Sequence, residues 1–211
     1  MKLQLALDVL SIEQALEIAQ KAEKYIDIIE LGTPLLKEES TEEAVKSMNS
    51  AFPKKIILAD LKIMDTGKLE ANLAFRAGAD IVTVCAAAKD STIKEAIKYA
   101  RKQKKKIMVD LIGIKDKVQR AKEIEKLKPD YICVHTGIDE QHLGVRPFED
   151  LQKAKNAIKT KIAVAGGINI RNIKKVIRLH PEIIIVGSAI TSSKNPEKAA
   201  RKIKRKINKG G

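Results

Sequence analysis

Eight times along this chain, a short run of aliphatic and β-branched residues gives way to a longer stretch of helical period. The runs are LQLALD at 3–8, IDIIELG at 26–32, KIILAD at 55–60, ADIVTVC at 79–85, KIMVDLIG at 106–113, DYICVHTG at 130–137, KIAVAGG at 161–167 and EIIIVGS at 182–188. They are nearly continuous apolar segments, the pattern of parallel strands covered on both faces. The stretch after the first run starts at Ser11, a residue suited to capping a helix whose apolar face carries Ile12, Ala15, Leu16 and Ala19. Further helices are predicted over 40–51, 67–77, 90–103 (capped by Asp90 or Ser91), 115–127, 148–158, 169–179 and 196–208. Alternation alone also permits an open doubly wound sheet, but no G-x-G-x-x-G follows the first run. Eight evenly spaced units in 211 residues favour closure into a single (β/α)8 barrel, an α/β fold. No composition break marks a linker, so residues 1–211 are expected to form one domain, with any elaboration in 138–147.

The chain is 44% hydrophobic but only 3% aromatic, so its core must be built from Ile, Val, Leu and Ala. Cys85 and Cys133 sit inside apolar runs without metal-binding spacing, which predicts buried, reduced thiols. The start, MKLQLALDVL, shows no leader pattern, and no stretch approaches a membrane span; a soluble cytoplasmic protein is expected. The formal charge of +14 raises the possibility of nucleic-acid binding. Its densest clusters, RKQKKK at 101–106 and RKIKRKINK at 201–209, fall late in predicted helices, where cations complement the C-terminal dipole. Lysine dominates, stacking aromatics are scarce and no nucleic-acid motif is present, so a solvated lysine-rich surface is the better reading.

Polar residues recur where the strands should end. Asp8 closes the first, Glu30 lies near the end of the second, and Asp60 with Lys62 closes the third. Asp110 is late in the fifth and His135 ends the sixth, while Gly166-Gly167 and Gly187-Ser188 end the seventh and eighth. Taken singly, each is an ordinary cap, loop or turn residue. In a barrel all these ends share one rim, the face on which barrel active sites are built. The AGGI and VGSAI segments fit a phosphate cradle, and Glu30 and Asp60 are hard oxygen ligands suited to Mg2+. The three histidines form no zinc set; His142 and His180 are expected at the surface.

The element D-L-K-I-M-D at 60–65, together with LALDV (5–9), DIIELGTPL (27–35), VHTGIDEQ (134–141), AVAGGI (163–168) and IIVGSAI (184–190), closely resembles the 3-hexulose-6-phosphate synthase family. That family lies within the orotidine 5′-monophosphate decarboxylase superfamily, and the resemblance runs from about residue 3 to 205. It implies a cytoplasmic homodimer with active sites shared across the interface. It also implies a Mg2+-dependent, reversible joining of ribulose 5-phosphate and formaldehyde through an enediolate. The expected pathway partner is 6-phospho-3-hexuloisomerase. Carried over, Glu30 and Asp60 hold the metal, Lys62 sits between carboxylates at the reacting end, and Asp65 reaches into the neighbouring subunit. Gly166, Gly167, Gly187 and Ser188 bind the phosphate. His135 is the expected proton shuttle, Asp110 orients it or the substrate hydroxyls, and Asp8 contacts substrate. The loop EQHLGVRPFEDL departs from the family pattern at His142, Val145 and Arg146, as does Cys85 beside the rim.

Three other readings compete. The related 3-keto-L-gulonate-6-phosphate decarboxylases share D-x-K-x-x-D, but their sixth-strand loop carries arginine where this chain has Thr136, Gly137 and Ile138. A Schiff-base aldolase needs a neutral amine, whereas Lys62 flanked by Asp60 and Asp65 should stay protonated. A non-catalytic nucleic-acid-binding protein follows from charge alone, and leaves the rim carboxylates without a purpose.

Overall fold

The computed structural model describes residues 1–210 and forms a closed barrel of eight parallel strands in sequence order. The strands are β1 (Lys2–Leu7), β2 (Ile28–Leu31), β3 (Ile56–Ile63), β4 (Ile81–Cys85), β5 (Lys106–Asp110), β6 (Tyr131–His135), β7 (Ile162–Ala165) and β8 (Ile183–Val186). Each pairs with its sequence neighbours, and β8 returns to β1 through Lys2–Ile183 and Leu5–Val186. The expected (β/α)8 barrel is therefore the observed fold.

Strand periodicity separates the apolar residues into two cores. Leu3, Leu5 and Leu7 of β1, Ile29 and Leu31 of β2, and Ile132 and Val134 of β6 point outward and pack beneath the helices. The alternate positions fill the barrel interior: Ala6, Ile28, Leu58, Ile81, Met108, Tyr131, Cys133, Ala163, Ala165, Ile183 and Ile185. Both registers are occupied by apolar residues, which explains why the strands read as unbroken hydrophobic runs. Truncating a fully buried side chain such as Leu5 removes atoms from this packing and costs about 2–5 kcal/mol.

The outer layer comprises α1 (Ile12–Ala22), α2 (Thr33–Glu38), α3 (Thr41–Ala51), α4 (Gly67–Ala77), α5 (Asp90–Lys102), α6 (Lys117–Leu127), α7 (Ile138–His142), α8 (Phe148–Ala157), α9 (Ile173–Ile177), α10 (Ser188–Thr191) and α11 (Pro196–Lys209). Ser11 caps α1 as expected, its hydroxyl accepting from the Gln14 N–H at 3.3 Å. The other expected cap is corrected: Lys89 is the N-cap of α5, and Asp90 lies in its first turn, where it binds Arg120 at 2.8 Å. Three short helices, α2, α7 and α10, are not apparent in the sequence, because each is six residues or fewer and lacks an amphipathic repeat. The RKQKKK cluster also departs from expectation. Only Arg101 and Lys102 belong to a helix; Lys104 adopts a left-handed turn and Lys106 opens β5. Among the described residues, no helix is long and apolar enough to cross a membrane.

Candidate active site

The inward register of each strand ends in a polar side chain or a glycine at the C-terminal mouth. Asp60 follows Leu58 on the interior side of β3, Asp110 follows Met108 on β5, and His135 follows Cys133 on β6. β3 does not stop at Asp60, as the sequence pattern predicts; it continues to Ile63 through an irregularity between Ala59 and Ile63. Lys62 adopts a left-handed conformation there, with φ of 47°. An irregularity of this kind re-aims side chains, and here Lys62 and Asp60 meet in an ion pair instead of facing opposite ways.

The resulting charges form a chain across the mouth. The Lys62 ammonium binds Asp60 and lies 3.9 Å from Asp110 Oδ2. That same oxygen is 2.8 Å from His135 Nδ1, and Asp110 Oδ1 accepts the Ile112 N–H at 2.9 Å. Lys62 therefore lies between Asp60 and Asp110, a correction to its expected neighbours Asp60 and Asp65. Burial lowers the lysine pKa, but the two carboxylates outweigh it and hold the ammonium above its ordinary range. Burial likewise disfavours the His135 imidazolium, yet the Asp110 charge and hydrogen bond leave its pKa raised. For Asp110, burial opposes ionisation, and His135, Lys62 and the Ile112 N–H together hold the pKa below the usual value.

On the β1–β3 side the balance is reversed. Glu30 is pushed well above the carboxylate range by burial, then by Asp60 and Asp8; only the Gln4 hydrogen bond and Lys62 oppose this. Asp8 is raised by burial and by Asp60. Four carboxylates thus meet one lysine and one histidine, and the excess negative charge lies around Asp8, Glu30 and Asp60.

Sequence reasoning missed the residues that hold these groups. Thr83 donates to Asp60 Oδ1 at 2.7 Å and accepts the Lys62 N–H at 3.0 Å. The Thr33 hydroxyl lies 2.7 Å from the Asp60 carbonyl, 3.0 Å from its Oδ2 and 3.1 Å from Lys62 Nζ. Gln4 Nε2 donates to Glu30 at 2.6 Å. The available signal was a polar residue at an inward position of an otherwise apolar strand, which describes both Gln4 and Thr83. Gly32 matters for a different reason: a Cβ there would lie 2.2 Å from Asp8 Oδ1.

The glycine ends of β7 and β8 open onto a cleft of about 730 Å³ that includes Gly167, Ser188, Arg171, Lys194, Lys198 and Lys202. Gly166 has φ of 118°, and a Cβ there would come within 2.7 Å of the Thr136 carbonyl, so only glycine fits. A Cβ at Gly187 would meet nothing closer than 3.6 Å, so no close contact sets this position. α10 is a single turn, so its dipole adds little to anion binding.

Asp65 does not join the charge chain. It is exposed, its Oδ1 accepts the Thr66 N–H at 2.7 Å, and it borders a separate hollow of about 510 Å³ with Leu69 and Tyr99. Met64, Leu69 and Leu73 around it are 52%, 59% and 44% exposed, a high value for three neighbouring large apolar side chains. His142 and His180 are exposed, and both cysteines are buried and free, as expected.

The model of the orotidine 5′-phosphate decarboxylase / HUMPS family matches residues 1–203. The chain belongs to this family. It is 49% identical to a 3-hexulose-6-phosphate synthase from Bacillus subtilis over the full length of both chains. A crystal structure of 3-hexulose-6-phosphate synthase from Salmonella typhimurium superposes with a TM-score of 0.97 at 40% identity, covering 100% of both chains. A crystal structure of 3-keto-L-gulonate-6-phosphate decarboxylase from Vibrio cholerae superposes at 0.86 with 26% identity, covering 100% of this chain and 98% of its own. Family and fold thus agree with the resemblance carried by the D-x-K-x-x-D element.

Proposed function

We propose that this enzyme is a 3-hexulose-6-phosphate synthase, which condenses ribulose 5-phosphate with formaldehyde to give D-arabino-hex-3-ulose 6-phosphate, reversibly. The observation that carries the proposal is the buried Asp60–Lys62–Asp110–His135 chain at the barrel mouth, beside a cationic cleft. Full-length identity of 49% to a synthase, against 26% to the Vibrio cholerae decarboxylase, favours this reading over decarboxylation. The Thr136-Gly137-Ile138 stretch supports it further.

The charge balance fits a divalent cation. A buried carboxylate such as Glu30, its pKa driven up by burial and by Asp60 and Asp8, is stabilised by a positive ion, and Glu30 and Asp60 are the residues that would hold Mg2+. Such an ion supplies Lewis-acid stabilisation of oxygen charge. Lys62 adds a fixed positive charge, fully protonated and oriented by Asp60, Thr33 and Asp110, to stabilise the enediolate oxygens. This also disfavours a Schiff base, since the amine is locked as ammonium.

His135 moves the proton. Asp110 engages Nδ1 and leaves Nε2 for transfer. Neutral imidazole takes the C1 proton of ribulose 5-phosphate, C1 attacks formaldehyde, and the imidazolium returns a proton to the new alkoxide. The raised pKa makes the neutral imidazole a stronger base for the first of these steps. In this reading Gly166, Gly167, Gly187 and Ser188 bind the phosphate, and Arg171, Lys194 and Lys198, which line one cleft with Gly167 and Ser188, complement its charge. Asp8, walled by Gly32, faces the sugar hydroxyls.

The apolar surface at Met64, Leu69 and Leu73 supports a homodimer in which Asp65 serves the partner's site. Its product calls for a 6-phospho-3-hexuloisomerase, and cytoplasmic placement is part of this reading. The lysine-rich exterior is solvent-facing charge; no nucleic-acid partner is proposed.

The test assays the chain in both directions with formaldehyde detection, using 3-keto-L-gulonate 6-phosphate as a control. Formaldehyde consumption dependent on ribulose 5-phosphate supports the synthase. Faster release of carbon dioxide from the gulonate overturns it.

A further inference from the structure

The interior of β5 and β6 contains a second ligand set, chemically unlike the carboxylates of β1–β3. Asp110 and Cys133 are register partners on adjacent strands, and His135 is the next inward residue of β6. One ligand atom from each of Asp110, Cys133 and His135 lies within 4.8 Å of the others. Among the described residues, this is the group of three or more such side chains that converges so closely. Cys133 is buried at 2% exposure and its thiol has no part in the proposed proton transfer.

We infer that Asp110, Cys133 and His135 form an inhibitory site for a thiophilic divalent cation of the Zn2+ or Cd2+ type. A thiolate, an imidazole and a carboxylate are the donors such ions prefer, and the fourth position of a tetrahedral site is left for water or substrate. Bond lengths of about 2.0 Å to nitrogen and oxygen and about 2.3 Å to sulfur require donors roughly 3.3–3.8 Å apart. The His135–Asp110 pair, at 2.8 Å, must open by only a few tenths of an ångström. Mg2+ is excluded by the same chemistry, because it selects oxygen ligands and tolerates neither thiolate nor a crowded site.

The binding step balances as proton release. The Cys133 thiol loses its proton to solvent, and the hydrogen bond between His135 and Asp110 gives way to bonds to the ion. The proton on the metallated ring nitrogen moves to the other nitrogen or to solvent. The neighbouring carboxylates offset the repulsion from Lys62, which lies 3.9 Å from Asp110. Occupancy removes the imidazole from proton transfer, so the ion blocks turnover without filling the phosphate cleft. This site differs in residues and in metal preference from the Glu30–Asp60 pair; ion binding stands whether or not the synthase reading does, whereas the inhibition rests on His135 as the proton carrier of that reading.

The experiment titrates chelator-treated protein with Cd2+ and follows the ultraviolet thiolate-to-cadmium charge-transfer absorption, with turnover measured in parallel. The wild type and Cys85→Ala should each develop the band at one equivalent of Cd2+ and lose activity. Cys133→Ala should lack the band and need about tenfold or more Cd2+ for equal inhibition. Cys133→Ser guards against an alanine variant that packs poorly. No band in folded Cys85→Ala, or unchanged Cd2+ binding and inhibition in both folded Cys133 variants, overturns the inference.

Discussion

The two halves of the barrel mouth carry the same kinds of residues and opposite electrostatics. On the β5–β6 side, Asp110 is matched by His135 and Lys62, and its pKa is held down. On the β1–β3 side, Glu30 is buried beside Asp60 and Asp8, and its pKa is driven up. One half is internally neutralised and suited to moving a proton; the other has unmet negative charge and is suited to a cation. Lys62 joins them, and the irregularity in β3 allows it to do so.

Removing that junction should produce the largest effect. Lys62→Ala leaves Asp60 and Asp110 without their shared cation, and turnover should fall about 10³-fold or more. Stability should fall by about 3–5 kcal/mol as the buried pair is broken. Rate measurements and denaturant unfolding check both; near-normal turnover in folded protein would separate the two halves. Asp110→Asn tests the neutralised half. With the carboxylate gone, burial prevails, so the His135 pKa should drop below its present raised value, and turnover should fall about 10²-fold. NMR titration of the imidazole shows the direction.

The same shift has a stability consequence. Because the folded pKa of His135 is raised, its contribution is complete below the ordinary histidine pKa of about 6.5 and is lost as pH rises through the folded value. Asp110 behaves oppositely: its contribution is complete above the ordinary aspartate value of about 3.9 and disappears as pH falls through its depressed folded pKa. In Asp110→Asn the acid-side dependence of Asp110 should vanish and that of His135 should reverse, its contribution then being complete above about 6.5 and lost as pH falls.

The cation-seeking half is tested by chelation. EDTA should abolish activity and Mg2+ restore it, whereas full activity in chelator would contradict the assignment of Glu30 and Asp60. A smaller effect is expected at the cationic cleft proposed to take the phosphate: Arg171→Ala with Lys198→Ala should raise KM about tenfold with kcat little changed, since exposed cations bind substrate and transition state alike.

How far these features could be read from sequence follows from their range. Strand order and closure were legible because each strand announces itself locally by an unbroken apolar run. Asp60, Asp110 and His135 were legible because strand ends share one rim in any such barrel. The pairing of Lys62 with Asp110 was not, because it depends on a backbone irregularity that periodicity does not encode. Thr33, Thr83 and Gln4 escape a sequence reading for a related reason: each acts only through a partner on an adjacent strand, 21 to 29 residues away in its hydrogen bonds. Spacing alone makes Asp65 a neighbour of Lys62, but the turn into α4 carries it away to the apolar surface.

The central claim is that the two halves, joined by Lys62, generate an enediolate at C1 of ribulose 5-phosphate. NMR of that substrate in D2O with Mg2+ and without formaldehyde measures this step alone. The wild type should exchange a single C1 hydrogen for deuterium, and folded Lys62→Ala should not. Absence of exchange in an enzyme that still consumes formaldehyde, or equal exchange in both proteins, would contradict the account.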